Sequence, residues 1–198
     1  MDLIKQVGYM GFEVSQLQEW ETFATDILGL TKTDETPQGF NLALDQYKRR
    51  FYLTHGPADD VSFIGFEVEN EFALNQLAEH LSANKIKVTG ASSDILTKRM
   101  VKGLISCQDP CGVPLEFYYG PEKNENPPSS AKVASGFVGD QQGFGHVVVT
   151  CHKPEENHEF YLNTRGFKLS DKIHLDFGHV KFDITFTPLN NSTLSLFK

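Results

Sequence analysis

The sequence lacks several features that would point to particular functions. Positive charge is scarce: 18 basic residues accompany 26 acidic ones, the formal net charge is -8, and the one short basic cluster is KRR at residues 48–50. Nucleic-acid binding, which depends on basic surfaces, is therefore not expected. No apolar run approaches the roughly 18 residues that a membrane helix needs, and the first residues do not resemble a signal peptide. We expect a soluble, cytoplasmic protein that binds neither nucleic acid nor membrane.

Cysteine is also scarce. Cys107, Cys111 and Cys151 are an odd number in a chain of 198 residues, which fits a reducing compartment better than a disulfide framework. Cys107 and Cys111 lie four positions apart in CQDPCG, but a zinc knuckle needs a second Cys or His pair at similar spacing, and none follows. Two thiols on either side of an Asp-Pro turn are the simpler interpretation.

The clearest positive signal is an internal repeat. Three segments share a strand-like pattern: GYMGFEV at 8–14, SFIGFEV at 62–68 and GFGHVVV at 143–149. An offset of 137 residues carries Gly8 onto Gly145, and an offset of 54 carries Gly11 onto Gly65. A helical stretch follows each segment, and the first two copies close with an aromatic strand and Gly-Pro. Each copy is therefore predicted to be a β-α-β-β-β module of an α+β fold, with three modules present.

The predicted helices carry recognisable end signals. Ser15 is a plausible N-cap of the first helix, and Gly29 ends that helix as a C-cap glycine would. In the third module Pro154 suits the first helical turn and Gly166 its end. These signals place one helix directly after the first strand of each module.

A polar segment rich in Pro, Ser and Asn separates the second module from the third. Its composition predicts a linker over residues 123–138. The predicted domains are then a two-module domain at 1–122 and a single module at 139–198, the first half of a second domain.

The three copies differ at one chemically important position. The offsets align Tyr9 of the first copy and Phe63 of the second with His146 of the third. A neutral imidazole on a rigid first strand, flanked by glycine, is a good ligand for Fe(II), Mn(II) or Zn(II). A hydrogen-bonded histidine in a partly buried strand is the alternative, and the repeat pattern leaves both interpretations open.

Other candidate residues are weaker. Glu116 could be a carboxylate ligand, but no histidine heads a strand in its own domain, so a structural or surface carboxylate is favoured. His152, His158, His174 and His179 lie in a loop-rich region and are interpreted as surface residues. Neither a nucleophile elbow nor a phosphate-binding glycine loop is present in the sequence.

Four segments together resemble a known family in their residues and in their order along the chain: GYMGFEV, RMVKGLISCQDPCGVPLEFYYGP, SGFVGDQQGFGHVVV and FYLNTRGFKLSD. The chain resembles the amino-terminal two thirds of the type I extradiol catechol dioxygenases of the vicinal oxygen chelate superfamily, most closely the 2,3-dihydroxybiphenyl 1,2-dioxygenase branch. The resemblance implies β-α-β-β-β modules of the glyoxalase and extradiol dioxygenase type. It also implies cleavage of a catechol by O2 in the degradation of aromatic compounds. The implied cofactor is a non-haem Fe(II), with Mn(II) as the alternative, held by two His and one Glu.

The resemblance assigns roles to two positions. His146 matches the first metal ligand, whereas the second His and the Glu of the family belong to a fourth module that the sequence does not reach. Ser192, in NNSTLSLF, stands where the family has a histidine that acts as acid or base near the bound oxygen. A serine cannot exchange a proton near neutral pH as imidazole does. The resemblance therefore implies one ligand out of three and no retained catalytic residue.

Three hypotheses follow. The chain represents a truncated or divergent extradiol dioxygenase, a catalytically degenerate binding protein of the same fold, or half of a dimer in which two His146 side chains meet across a two-fold axis. We favour the first as a family assignment. We also expect the chain alone to bind iron poorly and to self-associate through an uncovered apolar sheet face.

Overall fold

The structure, a computed structural model, describes residues 3–139, 143, 145–164, 167–179, 181–189 and 192–197. The first module contains β1 (Ile4–Val14), α1 (Leu17–Thr22) with a π-helical turn (Phe23–Ile27), β2 (Thr31–Thr36), β3 (Gly39–Ala43) and β4 (Phe51–His55). The second contains β5 (Asp60–Val68), α2 (Glu71–Ala83), β6 (Thr89–Gly90), α3 (Ser93–Arg99), β7 (Gly103–Gln108) and β8 (Pro114–Tyr119). The third contains β9 (Gly145–Thr150), α4 (Pro154–Asn163), β10 (Asp171–Asp176), β11 (Lys181–Pro188) and β12 (Ser192–Phe197). The predicted β-α-β-β-β order is confirmed in all three modules, and α3 is an insertion in the second.

The helix end signals were only partly correct. Gly29 lies just past the end of the first helix in the left-handed conformation, with φ of 75°, and Pro154 occupies the first turn of α4. Ser15 does not cap α1: its backbone N–H and its hydroxyl both donate to the carboxylate of Asp59, at 2.7 and 2.8 Å. The prediction for Gly166 lies outside the described residues. None of the helices in the described ranges is long and apolar enough to span a membrane.

The first two modules form one eight-stranded sheet with the order β2-β3-β4-β1-β5-β8-β7-β6. The two first strands, β1 and β5, pair antiparallel at its centre, and each also pairs in parallel with the last strand of its own module. The third module repeats this arrangement as a separate four-stranded sheet, β10-β11-β12-β9, in which β9 pairs in parallel with β12. Between β8 and β9, residues 120–139 form no helix and only an isolated bridge from Lys123 to Tyr47. This irregular stretch fits a linker at 123–138, and the division into domains remains a prediction.

The central β1–β5 pair depends on two glycines. Tyr9 lies opposite Gly65 and Phe63 lies opposite Gly11. A Cβ atom on Gly65 would lie 2.1 Å from the Tyr9 ring, and a Cβ atom on Gly11 would lie 2.1 Å from the Phe63 ring. Each aromatic ring therefore crosses the backbone of the opposite strand at a position where only glycine leaves room.

One face of the eight-stranded sheet shares a hydrophobic core with α2 and the third module. Buried side chains from all three modules belong to this cluster: Ile4, Val7, Phe66, Leu77, Phe117, Val147, Val149, Phe160, Tyr161, Phe167 and Leu194. The rings of Phe66 and Phe167 meet edge to face at 5.3 Å between centroids. The third module is thus packed against the first sheet rather than separated from it by solvent.

We expect Gly65→Ala to destabilise the protein because its methyl group would displace the Tyr9 ring from the centre of the sheet. Overpacking of this kind costs about 1–3 kcal/mol in free energy of unfolding, measurable by equilibrium urea denaturation. Gly90→Ala is the matched control, since a Cβ atom there has no neighbour within 4 Å and should leave the stability within about 0.5 kcal/mol of wild type. Equal stability of the two variants would show that the rings do not require the glycine.

Candidate functional site

His146 lies near the start of β9, on the exposed face of the second sheet. Along this strand His146 and Val148 are exposed, whereas Val147 and Val149 are buried in the shared core. Gly145 has a φ of 93°, and a Cβ atom at that position would meet nothing within 4 Å. The imidazole of His146 is itself exposed, so a ligand or a further side chain could approach it.

Two neighbours hold the His146 ring. Its Nε2 atom lies 2.6 Å from the hydroxyl oxygen of Ser195, a buried residue on β12. The ring of Phe186, on β11, lies 5.8 Å away between centroids. Either the serine hydroxyl donates to Nε2 or a protonated Nε2 donates to the hydroxyl, depending on the tautomer. Sequence reasoning missed Ser195, because its position depends on the parallel register that sets Thr193 opposite His146.

Ser192 lies at the start of β12, where its backbone is aligned with Gly145, the residue before His146. Its side chain is outside the described part of the structure. The replacement of an acid-base histidine by Ser192 therefore stays a prediction.

The His146 site does not by itself make a complete metal centre. In the described ranges no group of three His, Cys, Asp or Glu side chains could hold a metal ion. A facial triad requires two His and one carboxylate around the iron. The described residues place one imidazole, that of His146, beside a serine hydroxyl.

Tyr9 occupies the equivalent position in the first sheet, and its side chain contacts Glu116. The Tyr9 hydroxyl donates to Oε2 of Glu116 at 2.6 Å. Arg99 binds the same carboxylate through both oxygens, with its Nε at 2.7 Å and its Nη2 at 2.8 Å. Burial, together with the negative charge of Glu116, raises the pKa of Tyr9 well above its usual value. The carboxylate that sequence analysis considered as a ligand is thus fully engaged by a guanidinium and a phenol.

Arg99 is held over aromatic rings as well as by Glu116. Its guanidinium carbon lies 3.7 Å from the centroid of Phe63 and 4.9 Å from that of Tyr52. Both distances are within the range of cation–π attraction. The Tyr52 hydroxyl also donates to the backbone carbonyl of Arg99 at 3.1 Å. Arg99 ends α3, the helix without a counterpart in the other modules, so comparison of the repeats could not reveal it.

The third module also differs at the glycine position. The offset of 137 residues carries Gly11 onto Val148, and the Val148 side chain is 58% exposed. No aromatic ring crosses the strand there among the described residues. In the first sheet, β1 pairs with both β4 and β5, whereas β9 is the edge strand of its sheet in the described ranges. Among the described residues, one side of β9 therefore has no strand partner for its backbone groups next to His146.

The other candidate histidines do not converge on His146. His152, His174 and His179 are exposed, and Nδ1 of His174 contacts the carboxylate of Asp183. His158 is half-buried rather than on the surface as expected; burial, and then the positive charge of Lys172, lower its pKa. The structure therefore leaves His146 as the single candidate ligand from the sequence analysis that lies at a repeat-defined site.

Comparison with known proteins agrees with this architecture. A family profile described as "Dihydroxybiphenyl dioxygenase BphC D1" matches residues 7–56. The chain is 38% identical over 176 residues to a 3-methylcatechol 2,3-dioxygenase of Pseudomonas putida, covering 88% of the chain and 60% of that relative. It is 38% identical over 176 residues to a biphenyl-2,3-diol 1,2-dioxygenase of Paraburkholderia xenovorans, covering 88% of the chain and 59% of that relative. The chain thus spans about three fifths of the length of these two relatives.

A solved structure supports the same relationship. The crystal structure of a catechol 2,3-dioxygenase superimposes with a TM-score of 0.88 at 27% sequence identity, covering 97% of this chain and 70% of that one. The likeness therefore extends over all three modules.

We expect Arg99→Met to destabilise the protein by about 3–5 kcal/mol, because it leaves the Glu116 carboxylate buried without a cation. Adding Glu116→Gln should recover about 2 kcal/mol or more, since the neutral amide still accepts the hydrogen bond from Tyr9. Lys48→Met is the control: it breaks an exposed ion pair with Glu122 and should cost at most about 1 kcal/mol. Urea denaturation measures all three. A double variant no more stable than Arg99→Met would show that the buried charge is not the cause.

Proposed function

We propose that the chain belongs to the extradiol catechol dioxygenases of the vicinal oxygen chelate fold, over the part of those enzymes that it spans. We further propose that His146 is a ligand of a catalytic Fe(II). The reaction proposed is extradiol cleavage of a catechol such as 2,3-dihydroxybiphenyl by O2, in the degradation of aromatic compounds. Mn(II) is the alternative metal.

The observation that carries this proposal is the replacement of a packed aromatic by an accessible imidazole at one repeated strand position. In the first sheet Tyr9 and Phe63 fill that position and close it. In the third module His146 is exposed. A strand in a β-sheet holds its side chains with little freedom, which suits a metal ligand.

The chain's own residues define what His146 can contribute. Ser195 and Phe186 fix the orientation of the ring. If Nε2 binds the metal, the Ser195 hydroxyl must release it and turn towards another acceptor. An Fe(II) ion would supply the centre at which a catechol and O2 bind together. With one described ligand, we propose that these residues bind iron weakly and require further ligands from elsewhere.

We expect the purified chain to bind Fe(II) weakly and below one equivalent in anaerobic equilibrium dialysis. His146→Ala should abolish this binding because it removes the ligand. His174→Ala, which changes an exposed histidine, should bind as wild type does. No yellow ring-cleavage product should form from 2,3-dihydroxybiphenyl.

The two parts of the proposal fail separately. Unchanged iron binding by His146→Ala would contradict the ligand role. Stoichiometric iron together with yellow product would contradict the weakness of a single-ligand site.

A second candidate function is a catalytically degenerate binding protein. The contact between Ser195 and Nε2 of His146 favours it, because the ring nitrogen already has a partner within the module. This protein would bind a catechol at the exposed face of the second sheet without consuming O2. Calorimetric binding of 2,3-dihydroxybiphenyl, combined with a flat trace on an oxygen electrode in the presence of Fe(II), separates it from the enzyme.

We further propose that the edge of β9 pairs with β9 of a second copy. In the first sheet the equivalent edge of β1 is covered antiparallel by β5. Pairing of two β9 strands would bring two His146 side chains near one another and could supply a second imidazole to one metal. It would also cover the exposed side chain of Val148.

We expect sedimentation equilibrium to show association of the wild-type chain, and Val148→Lys to shift it to monomer by placing a charge on the edge strand. Phe72→Lys is the control because Phe72 is 67% exposed and belongs to α2 rather than to β9. Equal dissociation by both variants, or by neither, would contradict pairing through β9.

A further inference from the structure

Two cysteine thiols meet where the third module packs on the second. The sulfur atoms of Cys111 and Cys151 lie 3.0 Å apart, although the residues are 40 positions apart in sequence. Cys111 lies in the turn between β7 and β8, and Cys151 directly follows β9. Both are free thiols in the structure. Cys107 and Cys111 are close in sequence, whereas the fold pairs Cys111 with Cys151.

The buried carboxylate of Asp109 holds the two thiols near each other by accepting hydrogen bonds from the turn that carries Cys111 and from the helix after Cys151. Oδ1 of Asp109 accepts the backbone N–H groups of Cys111 and Val113, each at 2.9 Å, which sets the shape of the turn. Oδ2 of the same residue accepts hydrogen bonds from Asn157 Nδ2 and the Tyr161 hydroxyl on α4, each at 3.1 Å. One side chain therefore joins the turn that carries Cys111 to the helix that begins just after Cys151. The closeness of the two thiols is built into the packing of the modules.

The geometry favours a covalent link over a metal site. A disulfide needs its sulfur atoms about 2.05 Å apart. A tetrahedral zinc ion with Zn–S bonds of about 2.3 Å needs them about 3.8 Å apart, together with two more ligands. In the described part of the chain, no third His, Cys, Asp or Glu completes such a group. We propose that Cys111 and Cys151 form a reversible disulfide by exchange with a small-molecule disulfide.

The two thiols have different roles in this exchange. Cys111 is partly exposed, whereas Cys151 is buried. Burial, and then the hydrogen bond with Cys111, raise the pKa of Cys151 to about 12. The Cys111 thiolate attacks the small disulfide RSSR, forming a mixed disulfide and releasing RS⁻. The Cys151 sulfur then displaces the second thiol, its proton leaves with that thiol as RSH, and the Cys111–Cys151 bond forms.

The link would join the second module to the third covalently. Cys151 lies five residues from His146 along β9, roughly 17 Å for an extended strand. The disulfide would thus anchor the far end of the strand that carries the proposed ligand. In the reducing compartment that the composition predicts, the pair remains as thiols until small disulfides accumulate. Cys107 is buried on β7, where burial and the charge of Asp109 raise its pKa to about 12, so it provides an internal control.

The test treats the full chain with oxidised glutathione under native conditions and measures intact mass and peptide mass maps. Wild type and Cys107→Ser should each lose the mass of two hydrogen atoms and yield a Cys111–Cys151 peptide pair, reversed by dithiothreitol. Cys151→Ser should stop at one glutathione adduct on Cys111. Cys111→Ser should remain largely unmodified, because Cys151 is buried.

Three results would overturn the proposal. These are three free thiols in the treated wild type, a disulfide that includes Cys107, and a stable glutathione adduct on wild-type Cys111 with no intramolecular link. Circular dichroism spectra of the variants, matched to wild type, ensure that each result refers to the folded chain.

Discussion

The crossing of the Tyr9 and Phe63 rings over the backbones of Gly65 and Gly11 is the contact on which the first sheet depends. It joins two β-α-β-β-β modules through their first strands and fixes the register of β1 against β5. The same crossing brings the two rings together, with 5.9 Å between their centroids, and Phe63 packs beneath the Arg99 guanidinium. The ion pair with Glu116, itself hydrogen-bonded to Tyr9, is therefore supported by the packing that holds the two modules together.

The first and third modules differ at one position of the repeat, where the first has the buried Tyr9 and the third has the exposed His146. In the first sheet the carboxylate of Glu116 is neutralised within the protein by Arg99, so this face is closed and its charges are balanced. In the third module the imidazole of His146 faces outward and contacts the Ser195 hydroxyl and the Phe186 ring. The described residues form no group of three His, Cys, Asp or Glu side chains that could hold a metal ion. A buried anion with its own cation has no need of a metal, whereas an accessible neutral imidazole can accept one.

The repeat allowed the modular order and the special position of His146 to be predicted from the sequence, because strand and helix patterns are local properties. The features that escaped prediction depend on contacts between distant segments. Ser15 has the chemistry of an N-cap, but Asp59 binds both of its donors. Ser195 reaches His146 through the register of two parallel strands, and Arg99 belongs to a helix that interrupts the repeat. The sequence places Cys111 near Cys107, but in the fold the Cys111 thiol contacts that of Cys151. This contact forms because Asp109 joins the turn that carries Cys111 to α4.

The glycine two residues after each crossing ring provides a criterion for recognising paired modules from sequence. The pattern aromatic-x-Gly occurs in two first strands, at Tyr9 to Gly11 and at Phe63 to Gly65. Such a strand contributes a ring and has room for the partner's ring, so two modules of this kind can pair through their first strands. A first strand with His-x-Val, as at His146 to Val148, cannot accept a crossing ring without a steric clash. In a chain assembled by duplication of this unit, a single change from glycine to a branched residue at this position would prevent a module from pairing in this way. The first strand of that module would then stay accessible to a ligand.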